Sequence, residues 1–270
     1  MNQFLSAVRK LRRRAATIVT FGLLGGLLTL IIIGTAATGG GDGGPDGGGD
    51  PSFDPLSLVT FPTAYRLVLE FILQIGGLFA LIYGAAIAGS EWSWGTLKAA
   101  VARGESRSRY ILSLFAATAV VTAVGLLVTF VIGVAAAAIG ATIAAVPLDG
   151  IGNTEALLDL AEPFGRGLVG ITAQGALGFA IATLARSQLA GIGAGIGLYF
   201  GGLFATIFLP DVVRYLPFQL ASAALGSGGF GEPPSPSDVP PDTAILLLLV
   251  WLVGSLVVAA GFAERAEITG

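Results

Sequence analysis

Six long apolar stretches separated by shorter polar ones dominate the chain. They run over approximately 15–38, 64–88, 110–145, 164–184, 189–209 and 243–262. A helix needs about 20 apolar residues to cross a hydrocarbon core roughly 30 Å thick, and each stretch is about that long or longer. Helices also satisfy their backbone hydrogen bonds internally, which lipid requires. The pattern therefore predicts an all-α integral membrane protein with six transmembrane helices in one domain, 1–270.

The residues ahead of the first span predict a separate amphipathic helix. Phe4, Leu5, Val8 and Leu11 recur at helical spacing. Such a helix can lie on an anionic membrane surface. Alternatively, the arginines and the lysine in 9–14 only set the topology. Both interpretations stay open. The apolar run 15–38 exceeds the roughly 7–15 residues of a signal-peptide core, so we expect it to be retained.

The stretch 39–62 predicts a flexible external loop, because it begins with a run of glycines and aspartates that offers little to pack. Asp42, Asp46, Asp50 and Asp54 lie in it without any lysine or arginine. Calcium binding is an alternative, but the string lacks the ligand pattern and the terminal glutamate of an EF-hand loop. The linker interpretation is favoured.

The basic residues are distributed unevenly between the two sides of the predicted topology. Loops on the cytoplasmic side of membrane proteins carry an excess of lysine and arginine. With both termini in the cytoplasm, only Arg66, Arg166 and Arg214 fall outside or at the outer interface. The inner positions are Arg9, Lys10, Arg12, Arg13, Arg14, Lys98, Arg103, Arg107, Arg109, Arg186 and Arg265. The chain is therefore predicted to be a multi-pass protein of the cell membrane with both termini inside.

Composition narrows the possible functions. The chain is 54% hydrophobic and 11% charged, and it contains no cysteine and no histidine. Disulfides, thiolate nucleophiles, imidazole bases and the usual zinc ligands are thereby excluded. We expect no metal site, no catalytic residue and no nucleic-acid partner.

The segment 89–109 between the second and third spans is polar, basic and rich in tryptophan. It contains Glu91, Gly95, Thr96 and Leu97 in EWSWGTL, followed by ARGESRSRY. This pattern resembles the cytoplasmic segment of type 2 ABC transporter permeases, and the six-span layout is similar over essentially the whole chain. The triplet YLP at 215–217 is also similar to that family. The C-terminal tail departs from it, since Arg265 is followed by alanine and glutamate.

The resemblance implies a dimeric export permease whose ATPase is a separate subunit. Independently of it, the sequence contains no G-x-x-x-x-G-K-[ST] loop to cradle ATP phosphates. ATP and magnesium would then bind the partner ATPase, with no cofactor in this chain. The expected partners are the ABC ATPase, a second permease copy or a paralogue, and membrane lipid.

A short cytoplasmic coupling helix is predicted between spans 2 and 3, over 95–103. The residues after Gly95 include good helix formers, Gly104 is placed as a C-terminal cap, and Arg103 suits the negative end of the helix dipole. The resemblance places the ATPase contact here. The predicted coupling residues are Glu91, Trp92, Trp94, Gly95, Thr96, Leu97, Arg103 and Arg107. The alternative is a basic, tryptophan-anchored loop that only obeys the topology rule and has no partner.

Three polar residues within the spans are candidates for a translocation path. Glu70 lies one helical turn from Arg66, and an acidic group at that depth needs a partner, water or a substrate. A simple Arg66–Glu70 pair is the alternative to a cavity that favours cationic cargo. Gln174 is a candidate of the same kind, or an amide that bonds between helices.

Glycines at four-residue spacing predict helix-packing faces. Gly193, Gly197 and Gly201 form one row in the fifth span, with Gly191 and Gly195 on an offset row, and Gly22 and Gly26 repeat the spacing in the first span. Such rows let two helix backbones approach closely. Packing within one subunit is favoured over a subunit interface.

Two functions of other classes compete with a permease. An ATPase-independent carrier or channel would be expected to show charged relays or an inverted repeat. An intramembrane enzyme would need a base that the sequence does not offer. The sequence specifies neither the cargo nor a homodimer against a heterodimer.

Overall fold

The computed structural model of the protein describes residues 2–38, 54–226 and 239–266. Within these ranges the chain is overwhelmingly α-helical and contains no strand. Six helical segments there are long and apolar enough to cross a membrane. The predicted class is confirmed in this sense: the described chain is all-helical and has six helices that are long and apolar enough to span a membrane. The predicted Gly/Asp loop lies mostly outside the described residues, which resume at Asp54.

The membrane-length helices are joined by short ones. The helices in chain order are α1 (Asn2–Arg12), α2 (Ala15–Ala37), α3 (Thr63–Ser93), α4 (Thr96–Ala102), α5 (Arg107–Ile143), α6 (Thr154–Leu158), α7 (Ala161–Ala185), α8 (Gln188–Ala205), α9 (Pro210–Val213), α10 (Pro217–Ala224) and α11 (Pro241–Arg265). A 3-10 turn over Pro55–Leu58 precedes α3, with the Asp54 carboxylate accepting from the Leu56 amide. Segments α6 and α7 together form the fourth candidate span.

Several helices have different ends from those predicted by hydropathy. Helix α3 continues to Ser93, past the predicted end at 88, because neighbouring elements bury Ser90 and Glu91. Helix α5 begins at Arg107 rather than 110, where the Ser106 hydroxyl accepts from a first-turn amide. Helix α8 ends at Ala205, and Pro210 starts the separate helix α9 instead of closing the fifth span. Hydropathy marks where lipid can lie, whereas caps and burial set where a helix ends.

Helices α3 and α7 form the centre of the bundle. Most of α3 and α7 is buried, whereas the other candidate spans are mainly exposed at the surface of the chain. The two backbones touch: a Cβ on Gly84 would lie 2.2 Å from the Gly175 carbonyl oxygen, and one on Gly178 would lie 2.1 Å from that of Leu81. The outward apolar side chains, such as Leu30 on α2, form a surface suited to lipid.

Polar contacts identify the two ends of the bundle. We call one of them the basic end. It contains α1, α4, the α7–α8 turn and the C-terminal end of α11. There Arg107 donates to the Ala266 carbonyl at 2.7 Å, and Arg186 stacks on Phe262. At the opposite end Arg166 pairs with Asp242 at 3.2 Å.

Candidate functional site

The basic end contains a buried carboxylate that joins three parts of the chain. Glu91 is 0% exposed. Its Oε1 accepts from Arg14 at 2.5 Å and from Lys10 at 3.2 Å. Its Oε2 accepts from Tyr110 at 2.5 Å and from the Thr96 hydroxyl. We call Lys10, Arg14, Ser90, Glu91, Thr96 and Tyr110 the Glu91 junction.

Local sequence explains how three helices meet at this carboxylate. The extension of α3 to Ser93 carries Glu91 to the helix end. Gly95 then adopts φ +66°, a left-handed conformation that glycine reaches without strain, and this turns the chain into α4 at Thr96. A second left-handed glycine, Gly104 with φ +84°, ends the α4 turn and leads into α5, which supplies Tyr110.

The N-terminal part of the chain enters the junction through Arg14, which lies between α1 and α2. Its guanidinium donates to Ser90 Oγ at 2.8 Å and stacks over the Trp94 ring at 5.0 Å. Ser90 in turn donates to the Ile87 carbonyl at 2.8 Å. The polar network is therefore satisfied at each of these groups, the condition under which buried charges rigidify a structure.

A second set of contacts attaches the remaining elements of the basic end. Arg186, in the α7–α8 turn, lies 5.4 Å from the Trp92 ring centroid and 5.2 Å from that of Phe262. Arg107 donates to the Glu264 carbonyl at 3.1 Å, and the Glu264 carboxylate accepts from the Ser108 amide at 3.0 Å. The end of α11 is thus in direct contact with the start of α5 and the end of α3, the two helices that α4 itself contacts.

The donors around Glu91 fully occupy its carboxylate. Both oxygens of Glu91 are occupied by side-chain donors, and two cations surround one carboxylate. No group of three or more acidic residues that could hold a metal ion occurs within 2–38, 54–226 and 239–266. What the arrangement can do is to keep α1, α3, α4 and α5 in a fixed relation.

The predicted coupling residues divide into buried and exposed members. Glu91 and Leu97 are buried, so neither side chain lies on the outer surface of this end. Trp94 is 65% exposed, and Arg103 at the end of α4 is also exposed. Thr96 is half-buried against Glu91. A partner would therefore meet the outer face of α4.

Sequence reasoning missed the partners of Glu91. Lys10 and Arg14 were grouped with a basic start, and Tyr110 with the beginning of a span. The available signal was an acidic residue at a span end, next to a tyrosine and in a protein with a strongly basic N-terminal segment. That signal indicates a need for partners but does not select them.

The opposite end contains a charged cavity of about 830 Å³, which we call the vestibule. Arg66 Nε donates to Glu70 Oε1 at 2.8 Å, so the structure contains the predicted pair. Arg166 lies in the same cavity and pairs with Glu162 at 2.8 Å. Asp242 completes this group. Glu70 and Arg66 thus pair with each other and also line a cavity. From the sequence, we had treated the pair and the cavity as alternatives.

Gln174 lies elsewhere, in the centre of the bundle. It is 2% exposed, and its amide occupies the space left by the missing side chain of Gly77. A Cβ on Gly77 would come 2.0 Å from Gln174 Oε1. Gln174 borders a second cavity rather than the vestibule.

The glycine rows predicted to pack within one subunit do not do so among the described residues. A Cβ on any of them would meet no atom within 4 Å; they are Gly22, Gly26, Gly193, Gly197 and Gly201. The in-chain contacts of α8 are made by the offset row instead: Gly191 lies against Ala182, and Gly195 against Leu81. Of the two glycine rows in the fifth span, only the offset row packs within the described chain.

Comparison with known proteins gives one family assignment. The model of a protein family of unknown function, DUF2705, matches residues 54–262, more than half of the chain. The chain belongs to the DUF2705 family. The DUF2705 match contains Glu91, Thr96 and Tyr110, whereas Lys10 and Arg14 precede it. Among curated proteins, none matches the chain.

Proposed function

We propose that this chain is the membrane-spanning permease subunit of an ATP-driven ABC exporter, with a separate ATPase docking on α4. The observation that carries the proposal is the Glu91 junction, which fixes a short helix with an exposed outer face to two long apolar helices. The G-T-L signature at 95–97 and the absence of a phosphate loop in the sequence support it.

The joint has the properties that transmission of force requires. Helix α4 is seven residues long, Leu97 and Ala100 anchor its inner face, and Thr96 is bound to Glu91. A push on α4 would therefore move α3 and α5 as rigid bodies rather than be lost in a flexible loop. In this proposal α4 is the coupling helix, and ATP and magnesium act on the partner subunit.

The basic end faces the cytoplasm in this proposal, and the vestibule faces outward across the cell membrane. The positive-inside rule supports that orientation, because eleven of the fourteen lysines and arginines lie at or next to the basic end. Helix α1 then lies at the inner surface as an amphipathic element. Transport consists of switching between inward-open and outward-open arrangements of a dimer, with no covalent step in this chain.

Substitution of Gly95 tests the coupling. We expect Gly95→Arg to abolish co-purification of an ATPase and ATP-driven transport, because a long charged side chain would project from the start of α4. The captured subunit is identified by mass spectrometry through a G-x-x-x-x-G-K-[ST] peptide and by its ATP hydrolysis.

Gly95→Asn is the matched control. An L-residue at φ +66° carries backbone strain of about 1–2 kcal/mol, but asparagine tolerates this region better than other residues. We expect the asparagine variant to retain the ATPase. Retention of both the ATPase and transport by Gly95→Arg would refute the proposal, and the carrier or channel would then be favoured.

Cysteine labelling tests the orientation, and the chain offers a clean background because it contains no cysteine. Ala99 on α4 and Gly152 before α6 are both exposed and lie at opposite ends. In intact cells a membrane-impermeant maleimide should label Gly152→Cys and leave Ala99→Cys unlabelled until the cells are opened. The reverse pattern would exclude docking of a cytoplasmic ATPase at α4.

A further inference from the structure

A second cavity lies between α3, α7, α8 and α10, deeper in the bundle than the vestibule. Its volume is about 270 Å³, and we call it the inner chamber. Its polar lining residues are Gln74, Gln174, Tyr199, Gln219 and Ser222. Within 2–38, 54–226 and 239–266, no lysine, arginine, aspartate or glutamate lines it. The described lining of the chamber is therefore polar but uncharged.

Two glutamines at the chamber have incomplete hydrogen bonding. Gln174 Oε1 and Gln74 Nε2 are buried atoms that find no hydrogen-bond partner in the part of the chain that the structure describes. An unsatisfied buried polar atom costs about 1–3 kcal/mol, so native proteins keep few of them without a reason. One atom is an acceptor and the other a donor. The terminal torsion of a glutamine is soft, so a modest rotation turns either amide toward an occupant of the chamber.

The other walls define the shape and charge of that occupant. Tyr199 and Phe218 meet edge to face, with ring centroids 4.9 Å apart, and both line the chamber. Aromatic walls favour a flat apolar body. An ion would have to give up its hydration without an opposite charge to replace it, which is costly at this depth.

The chamber adjoins the vestibule through two side chains. Leu73 and Leu225 line both cavities. Leu73 also fills the space beside Gly167, where a Cβ would come within 2.5 Å of its methyl groups. Because these two leucines line both cavities, a change in their rotamers is the route that we expect between the vestibule and the inner chamber.

We propose that the inner chamber is a binding site for a small uncharged molecule that carries a hydrogen-bond donor and acceptor on a flat apolar body, and that this molecule enters from the vestibule past Leu73 and Leu225. Binding itself does not depend on the proposed function. Only the identification of this molecule as transported cargo rests on the permease assignment.

Three probes of the same shape and different charge test the chamber: benzamide, benzoate and benzamidinium. The purified full chain is titrated with each, without any ATPase, and thermal unfolding is followed. A ligand that binds only the folded state raises the melting temperature with concentration. We expect benzamide to raise it, and the two ions to bind at least tenfold more weakly. Equal effects of all three probes, or no effect of benzamide, would overturn the proposal.

Substitutions locate the binding. Gln174→Leu and Gln74→Leu should each weaken benzamide binding at least tenfold, while Gln188→Leu, on the exposed start of α8, should leave it unchanged. Gln174→Leu should also raise the melting temperature of the ligand-free protein, because it removes a buried amide oxygen that lacks a partner among the described residues, at similar side-chain volume. If the Gln174 amide only stabilised the fold, Gln174→Leu would lower the melting temperature of the ligand-free protein. Should one variant fail to fold, the other decides, and unchanged affinity in it refutes the site.

The outcomes separate this proposal from the permease assignment. Benzamide binding with loss after Gln174→Leu, in a protein that brings down no ATPase, would leave the chamber as a ligand site and remove the exporter. A protein that brings down an ATPase but does not bind benzamide would support the exporter and remove the ligand site.

Discussion

Replacing Glu91 with alanine should lower the free energy of unfolding by about 3–5 kcal/mol, the range found when one partner of a buried ion pair is removed. The variant leaves the Arg14 guanidinium, only 9% exposed, without its carboxylate. It also removes the acceptor of Thr96 and Tyr110. Titration with SDS in mixed micelles, followed by circular dichroism, measures the change.

The pair at the opposite end provides a matched control. Glu70 pairs with Arg66, whose side chain is 75% exposed, so Glu70→Ala should cost at most about 1 kcal/mol. The double variant Glu91→Leu with Arg14→Met should recover much of the lost stability, because the buried charges are replaced together. If Glu91→Ala cost no more than Glu70→Ala, the junction would not stabilise the basic end.

The same variants connect stability with function. Under the proposed mechanism, the double variant folds but no longer links α4 to the N-terminal helix by charge. We therefore expect it to retain the bound ATPase and to lose most of the transport per ATP hydrolysed. Full coupling in the double variant would show that α4 transmits force without the Glu91 junction.

Gly178→Ala should destabilise the protein although alanine is the better helix former. Its new Cβ would lie 2.1 Å from the backbone carbonyl oxygen of Leu81, and a backbone cannot move aside as a flexible side chain can. Overpacking typically costs about 1–3 kcal/mol. We expect the upper part of that range or more, because α3 and α7 form the centre of the bundle. The SDS titration measures the change.

Gly197→Ala is the control at an open position. Its Cβ would meet nothing within 4 Å, so the change should stabilise α8 by about 0.5–1 kcal/mol, the usual gain over glycine in a helix. The two alanine substitutions should therefore have opposite signs. Destabilisation of similar size at both sites would contradict the close approach of α3 and α7. Loss of a dimer in Gly197→Ala, with the fold intact, would place the exposed glycine row at a subunit interface.

The sequence alone determined the class of fold and the order of its parts. Six apolar stretches were enough to predict six membrane-length helices. The thickness of the hydrocarbon core sets the length of such a helix, and that length is visible in each stretch of sequence on its own. A short helix, Thr96–Ala102, follows Gly95, because left-handed glycines and helix formers act over a few neighbouring residues. That it is a coupling helix stays a prediction. The charge bias predicts which end of the bundle faces the cytoplasm, and the cysteine labels test that prediction.

Only the tertiary structure selected the partners. Glu91 meets Lys10 and Arg14 across 81 and 77 positions of sequence, and no local pattern states which cation reaches which carboxylate. Likewise, both glycine rows of α8 have the same spacing, yet only Gly191 and Gly195 face a neighbour. Hydropathy is a property of each helix by itself. The face that a helix turns inward and the charged residues that it buries depend on the helices packed around it.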